Sequence, residues 1–212
     1  MGSAAAFFDL DRTLIRGSAN FPLAVAAFRA GYVPPRALLL DAFSAVRFVL
    51  KGATDEGSAE LRERILGAVA GHPAADVIAL GDAFIPKLKA AVLPEARQLL
   101  ADHAARGEDR VVVSASSEID PAGRYTGRLA GPFCYKTGKV AEIQQLAGER
   151  GYDLGRCSAY SDSISDLPFL EAVGVPVAVN PDRELRRHAS AHGWRVVEVA
   201  RRRSPRLSQA AA

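Results

Sequence analysis

Apolar and polar positions divide the chain into short apolar runs and longer stretches with helical spacing. The runs have the length of strands buried on both faces, and helical patterns separate the later ones. This alternation predicts an α/β fold, with a parallel sheet covered by helices on both sides. The predicted strands are Ala4–Phe8, Arg110–Val113, Arg156–Tyr160, Val175–Val179 and Arg195–Val199.

Three helical stretches between these strands carry start and stop signals. Pro94 and Gly107 bracket the first one as a first-turn proline and a terminating glycine. Pro181 and Gly193 bracket the last one in the same way. In the middle one, "GKVAEIQQLAGERG", apolar residues recur on one helical face.

The interval between the first two strands is far longer than one crossover helix requires. Its pattern is helical throughout, which predicts an inserted all-helical cap over residues 17–90. Residues 1–16 and 91–200 would then form the α/β core. Residues 201–212 are predicted to be a disordered basic tail.

Composition limits the classes of function. The 212 residues are 49% hydrophobic and 24% charged, which is ordinary for a globular protein. The four arginines of the tail "RRRSPR" carry +4 of the net charge of +3, which leaves the rest of the chain at −1, so the body gives no reason to expect a nucleic-acid partner. Two cysteines are too few for a disulfide framework, and no leader or membrane-length apolar run is visible. A soluble cytoplasmic protein is expected.

Polar side chains that could carry chemistry follow several strand ends or open a helix. Because the carboxyl ends of parallel strands meet at one edge of a sheet, we expect these side chains to line one crevice. The residues are Asp9, Asp11, Thr13, Ser114, Lys139, Asp162 and Asp166.

Several carboxylates in one crevice repel each other unless a cation lies among them. Oxygen ligands without a His or Cys cluster favour a hard ion, most simply Mg²⁺, which shares its coordination shell with phosphate. A carboxylate beside the ion can attack phosphorus, while Lys139 and Ser114 hold the transferring phosphoryl oxygens. Taken singly, each feature also has a structural explanation, as a turn acid, a helix cap or a surface lysine. Their occurrence together favours the chemistry.

The motifs "FFDLDRTLIRGS", "GRYTGRLAGPFCY", "YSDSISDLPFLEAVG" and "PVAVNPDRELRRHA" resemble the haloacid dehalogenase-like hydrolases. The resemblance is closest to their phosphoserine phosphatase-like branch, and it covers nearly the whole chain except the tail. It implies a Rossmann-like core, a helical cap inserted after the first motif, and Mg²⁺-dependent hydrolysis of a small phosphomonoester through an aspartyl-phosphate.

The resemblance also implies roles for individual residues. Asp9 would be the nucleophile and a metal ligand. Asp11 would be the general acid/base and bind the metal through its backbone carbonyl. Thr13 would orient Asp11 and lie at the phosphate site. Asp162 would be the third metal ligand.

Three further roles complete the implied site. Ser114 and Lys139 would bind the substrate phosphate. Asp166 would support Lys139 and the metal shell.

The segment after Ser114 departs from the family pattern. Eight residues, "ASSEIDPA", separate Ser114 from Gly123, too few for the helix and parallel strand expected there. The sequence therefore predicts a core that lacks one helix–strand unit and an exposed strand edge. A catalytically impaired phosphate-binding or interaction protein is the alternative function.

The substrate is less well indicated than the reaction. Phosphoserine phosphatases use an acidic cap residue shortly after the first motif, but this chain has no acid between Asp11 and Asp41. Ser18 and Asn20 occupy that loop. A phosphomonoester hydrolase is therefore indicated more strongly than a phosphoserine-specific one. A receiver-like phosphoacceptor is a third alternative, disfavoured by the long insertion and by Asp11.

Overall fold

The computed structural model describes residues 2–17, 19, 29, 31, 66–67, 69–114, 117–129 and 137–198. Its main sheet has five strands, β1 (Ala5–Phe8), β2 (Asp109–Val112), β5 (Ser158–Ser161), β6 (Val175–Val179) and β7 (Arg195–Val197). All five are parallel and lie in the order β2-β1-β5-β6-β7. The α/β fold with a parallel sheet is thus confirmed.

Helices pack on both faces of this sheet and begin close to where the sequence predicts. Pro94 starts its helix as the first-turn residue. At the last helix the start differs, because Asp182 is the N-cap and accepts from the backbone N–H groups of Glu184 and Leu185. The helices are α1 (Ala74–Ala91), α2 (Pro94–Ala105), α3 (Thr137–Arg150), α4 (Leu167–Glu171) and α5 (Arg183–Ala191).

The core lies on both faces of the central strands. All four residues of β1 are buried, and they alternate between two apolar clusters. Phe7 packs in one cluster with Ile143 of α3 and Phe169 of α4. Phe8 packs in the other, where its ring stacks on Tyr160 of β5 with the centroids 4.5 Å apart. Burial on both faces explains why these strands read as continuous apolar runs.

A β-hairpin that is not predicted from the sequence follows Ser114. Strands β3 (Ser117–Ile119) and β4 (Tyr125–Leu129) pair antiparallel as a separate two-stranded sheet. Asp120 closes the turn by accepting from the N–H of Arg124 at 2.9 Å, and Gly123 has a φ of 76°. The predicted absence of a helix and a parallel strand here agrees with this hairpin.

The hairpin is hydrogen-bonded to the segment that leads into α1. The N–H of Gly71 donates to the carbonyl of Tyr125 at 2.8 Å, and the N–H of Tyr125 donates to the carbonyl of His72 at 3.0 Å. The N–H of Ala74 donates to the carbonyl of Gly123 at 2.7 Å. Within the described ranges, β3 and β4 pair with each other and not with a strand of the main sheet.

Strand β2 lies at one edge of the described sheet, as the short segment after Ser114 predicts. Three of its four residues are exposed, and Val112 is 50% exposed. The predicted cap over residues 17–90 falls largely outside the described residues, although α1 is helical as expected. The predicted tail, Ser18 and Asn20 also lie outside them. No helix in the described part of the chain is both long and apolar enough to cross a bilayer.

Candidate active site

The first acidic motif begins where β1 ends, next to the centre of the sheet. The N–H of Asp9 donates to the carbonyl of Tyr160 in β5 at 3.0 Å, which fixes the backbone of Asp9 to the neighbouring strand. The chain then turns tightly, because the N–H groups of Leu14 and Ile15 both donate to the carbonyl of Leu10 at 3.1 Å. Asp11 lies inside this turn, and its Oδ1 accepts from the N–H of Ala19 at 2.9 Å.

Lys139, the third residue of α3, joins the two acidic motifs. Its Nζ donates to Asp9 Oδ1 at 2.6 Å and to Asp166 Oδ2 at 2.7 Å. Ser161 Oγ also donates to Asp166 Oδ2 at 2.6 Å. Lys139 and Asp166 are each only 4% exposed. The contact predicted between Asp166 and Lys139 is therefore present, as a buried ion pair.

The pKa values of Lys139 and Asp9 are shifted both by burial and by the charges of the neighbouring groups. Burial opposes the charged form of Lys139, but Asp9 and Asp166 outweigh it and raise the lysine's pKa. Burial raises the pKa of Asp9; Lys139 opposes that change, and Asp166 adds to it. Two acids around one ammonium leave excess negative charge, which a further cation would neutralise.

Asp162 follows β5 directly and faces Arg12 from the first motif. Arg12 Nε lies 3.0 Å from Asp162 Oδ2. Burial raises the pKa of Asp162 to about 7, even though Arg12 acts in the opposite direction. The negative charges of Asp9 and Asp166 also raise it. Asp162 is thus the carboxyl group whose ionisation would gain most from a bound cation.

Asp182 holds the turn that carries Asp162. Its N–H donates to the carbonyl of Asp162 at 2.8 Å, and its Oδ2 accepts from the N–H of Ile164 at 2.8 Å. Its Oδ1 caps α5 by accepting from Leu185 at 2.8 Å. One carboxylate therefore fixes the loop after β5 to the helix after β6.

Thr13 and Ser114 stand apart from this network. Thr13 is 2% exposed, and its Oγ1 is buried with no hydrogen-bond partner among the described residues. Ser114 is exposed at the carboxyl end of β2, where it lines a cavity of about 240 Å³ together with Glu142 and Gln145 of α3. In the described ranges, no hydrogen bond joins Ser114 to Asp9 or Lys139.

The oxygen donors of this site are of the kind that bind a divalent metal. No group of three or more His, Cys, Asp or Glu side chains converges as a ligand cluster within the described residues. The ligand set implied by the sequence, however, contains only two carboxylates, those of Asp9 and Asp162, and the carbonyl of Asp11. Two raised carboxyl pKa values and an oxygen-only donor set fit Mg²⁺, which keeps several waters when protein-bound.

Three residues of the site were not singled out from the sequence, namely Arg12, Ser161 and Asp182. The N-cap signal "NPD" before a helical stretch identifies Asp182 as a cap, but not as the support for Asp162. The contact of Arg12 depends on a backbone conformation that its sequence position does not reveal.

Comparison with protein families supports the interpretation of the motifs. A model of the haloacid dehalogenase-like hydrolases matches residues 6–171. A probable phosphatase of Mycobacterium tuberculosis is 38% identical, covering 93% of this chain and 76% of the relative. Phosphoserine phosphatase SerB1 of the same organism is 31% identical, covering 92% of this chain and 70% of the relative.

The probable phosphatase differs from this chain in length over the matched region. The alignment extends over 218 positions, whereas 93% of this 212-residue chain is about 197 residues. The relative therefore has about 20 more residues than this chain over the matched region.

Solved structures share the fold. A protein of Bordetella pertussis Tohama I superimposes with a TM-score of 0.79 at 27% identity, covering 94% of this chain and all of the other. A phosphoserine phosphatase in its apo form has a TM-score of 0.50 at 16% identity, covering 94% of each chain. On the match over residues 6–171 and the similarity to these relatives, the chain belongs to the haloacid dehalogenase-like hydrolases, in their phosphoserine phosphatase-like branch.

Proposed function

We propose that this hydrolase is a Mg²⁺-dependent phosphatase that cleaves a small phosphomonoester through an aspartyl-phosphate on Asp9. The observation that carries the proposal is the buried contact of Lys139 with both Asp9 and Asp166 at the carboxyl ends of β1 and β5. This contact fixes one carboxylate oxygen of Asp9 and brings a positive charge to the reacting centre.

In the first step, Asp9 attacks the phosphorus atom. Oδ1 accepts the Lys139 hydrogen bond, so we assign the attack to Oδ2. The bond between phosphorus and the ester oxygen breaks, and Asp11 donates a proton to the departing alkoxide. Asp9 then carries the phosphoryl group as a mixed anhydride.

In the second step, water attacks the same phosphorus atom and Asp11, now ionised, takes the proton from that water. The bond between phosphorus and Asp9 breaks, which releases phosphate and restores the carboxylate. The hydrogen bond from Ala19 to Asp11 Oδ1 holds one oxygen of this acid/base group.

Lys139, Ser114 and Thr13 are assigned to the phosphoryl oxygens. Lys139 supplies a fixed charge, which is effective in a buried site because little reorganisation is needed. The buried hydroxyl of Thr13 is a donor without a partner among the described residues, so it suits a ligand oxygen or Asp11. Mg²⁺, held by Asp9, Asp162 and the Asp11 carbonyl, would neutralise charge on the phosphoryl group.

For the substrate, we propose a small phosphomonoester without specifying an amino acid. One relative is named phosphoserine phosphatase, which supports substrates of that size. The absence of acids between Asp11 and Asp41 argues against recognition of a substrate amino group by this loop.

The test is hydrolysis of an aryl phosphate by the purified chain with Mg²⁺, with EDTA and after Asp9→Asn. We expect the chelator to abolish turnover and Asp9→Asn to reduce it by roughly 10³-fold or more, as for other nucleophile substitutions. Asp102→Asn, an exposed position on α2, is the matched control and should retain activity. Turnover that survives both EDTA and Asp9→Asn would refute the mechanism.

The second candidate, a phosphate-binding protein with impaired catalysis, is favoured by one observation. Ser114 is exposed after β2, an edge strand of the described sheet, and is followed by a hairpin instead of a helix. Thermal stabilisation by Mg²⁺ with a phosphate mimic such as beryllofluoride, but no turnover on a panel of phosphomonoesters, would support this candidate over the first.

A further inference from the structure

Arg12 lies between Asp11 and Thr13 in the first motif, and its backbone conformation is unusual. Its φ is 60°, in the left-handed region that residues other than glycine seldom adopt. The turn holds this conformation, because the N–H of Arg12 donates to the carbonyl of Gly17 at 2.9 Å. The backbone therefore fixes the direction in which the arginine side chain leaves the turn.

The side chain reaches from solvent to a buried acid. Arg12 is 58% exposed along its side chain, whereas Asp162 is 10% exposed, and their Nε and Oδ2 atoms are 3.0 Å apart. Arg12 thus contacts one of the two carboxylates assigned to Mg²⁺. It contacts neither Asp166 nor Asp9 through any described ion pair, since Lys139 already serves both of those acids.

We infer that Arg12 is a tethered cation that competes with the divalent metal for Asp162. The inference rests on the proposed function, since it assigns Asp162 to the metal. A guanidinium 3.0 Å from Asp162 Oδ2 places a positive charge at the carboxylate that the metal would share, and the two cations would repel each other there. Binding of the metal at Asp162 would therefore displace Arg12, whose mostly exposed side chain can move into solvent.

This competition has a thermodynamic consequence. In the absence of metal, Arg12 offsets part of the negative charge of Asp162. The free energy of that contact is subtracted from the free energy of metal binding, because the contact must break first. The protein thus has a lower affinity for Mg²⁺ than the same ligands would have without Arg12.

The experiment measures the melting temperature against Mg²⁺ concentration, which gives an apparent dissociation constant without a substrate. Arg12→Gln keeps the side-chain carbons as far as Cδ but removes the guanidinium and its charge. We expect this variant to bind Mg²⁺ roughly two- to fivefold more tightly, the scale set by a partly exposed ion pair. Arg12→Lys, which keeps a charge, should lie closer to the original protein.

Arg16→Gln is the matched control, since it removes the same charge from the same exposed turn and leaves the Arg12–Asp162 contact intact. A general effect of net charge would shift both variants equally. A second readout needs no metal: in EDTA, Arg12→Gln should lower the melting temperature, and it should do so much less in an Asp162→Asn background.

The outcomes separate the inference from the function on which it rests. If Mg²⁺ stabilises the original protein but Arg12→Gln binds it equally well or more weakly, the role of Arg12 is refuted and the proposed function stands. If Mg²⁺ stabilises neither protein, both are refuted. Tighter binding in Arg12→Gln but not in Arg16→Gln supports the inference.

Discussion

The ends of β5 and β2 differ in how firmly they hold the residues that come after them. After β5, Asp162 and Asp166 are buried, and Asp182 and Ser161 hydrogen-bond to their turn. After β2, Ser114 is exposed, and the chain leaves the sheet for a separate hairpin. One end lies between two neighbouring strands, and the other lies at the edge of the described sheet.

The two halves of the proposed site therefore depend on different parts of the fold. The nucleophile and metal half is built on β1 and β5, which have strand partners on both sides. Ser114, which is assigned to the phosphate half, follows β2, and β2 has one strand partner in the described sheet. Substitutions in the first half should change both stability and activity, whereas those at Ser114 should change activity alone.

Removing the charge of Lys139 should have the largest effect on stability. Lys139→Met leaves Asp9 and Asp166 buried without their partner, which should cost about 3–5 kcal/mol of unfolding free energy and abolish turnover. Urea denaturation measures the loss, and Lys87→Met on the exposed surface of α1 is the control. Adding Asp166→Asn to Lys139→Met should restore part of the stability. No recovery in the double variant would contradict a buried ion pair.

Asp162 should give the metal-free protein a pH-dependent stability. Its pKa rises from 3.8 to about 7 on folding, so the folded state holds this proton more tightly than the unfolded state. Stability is therefore lost as the pH rises from about 4 to 7. In EDTA at pH 8, Asp162→Asn should be more stable than the original protein by at most about 4 kcal/mol. This limit is the rise of the Asp162 pKa from 3.8 to about 7, multiplied by about 1.36 kcal/mol per pKa unit.

Urea denaturation in EDTA at several pH values between 5 and 8 measures this difference. The advantage of Asp162→Asn should shrink as the pH falls. An advantage of equal size at every pH would show that titration of Asp162 is not its cause.

Asp182→Ala tests whether the turn after β5 needs its support. The variant loses the N-cap of α5 and the contact with Ile164, which should lower stability by about 1–2 kcal/mol. It should also lower kcat, because Asp162 would no longer be held in place. Asp153→Ala is the matched control, since Asp153 caps a short helix by accepting from Gly155 outside the site. Equal loss of activity in the two variants would contradict the specific role of Asp182.

Ser114→Ala should have the smallest effect on stability. Ser114 is exposed, so the unfolding free energy should change by less than about 0.5 kcal/mol. If Ser114 binds the phosphoryl group, turnover of the aryl phosphate should still fall by about tenfold or more. Unchanged kcat and KM would show that the open strand end does not contribute to the site.

Much of the fold could be predicted from the sequence, because the strongest signals are buried strands and capped helices. The apolar run before Asp9 and the Pro94 and Gly107 signals predict β1 and α2 to within a residue or two. The hairpin was not predicted because "SEI" is short and lacks the apolar alternation of a strand. The "DPAG" turn was the available signal.

The sequence predicted that several candidate residues would lie together, but not all of the contacts around them. The strand-end rule brings Asp9, Lys139 and Asp166 to one edge, and these three are in contact. Arg12 was not predictable, because its contact depends on a positive φ set by the whole turn. The geometry at Ser114 depends on the segment after β2, which is too short for the helix and parallel strand that the family pattern predicts there.

The attachment of the hairpin also has a mechanical consequence. Ser117 begins a strand pair that is fastened to the residues before α1, while Val113 is fastened to β1 through its N–H bond to Phe8 at 2.9 Å. Ser114 therefore lies among the few residues that connect Val113, which is bonded to β1, with the hairpin, which is bonded to the residues before α1. Any shift of the hairpin relative to β2 would therefore be taken up between Val113 and Ser117, which makes the position of Ser114 depend on both attachments.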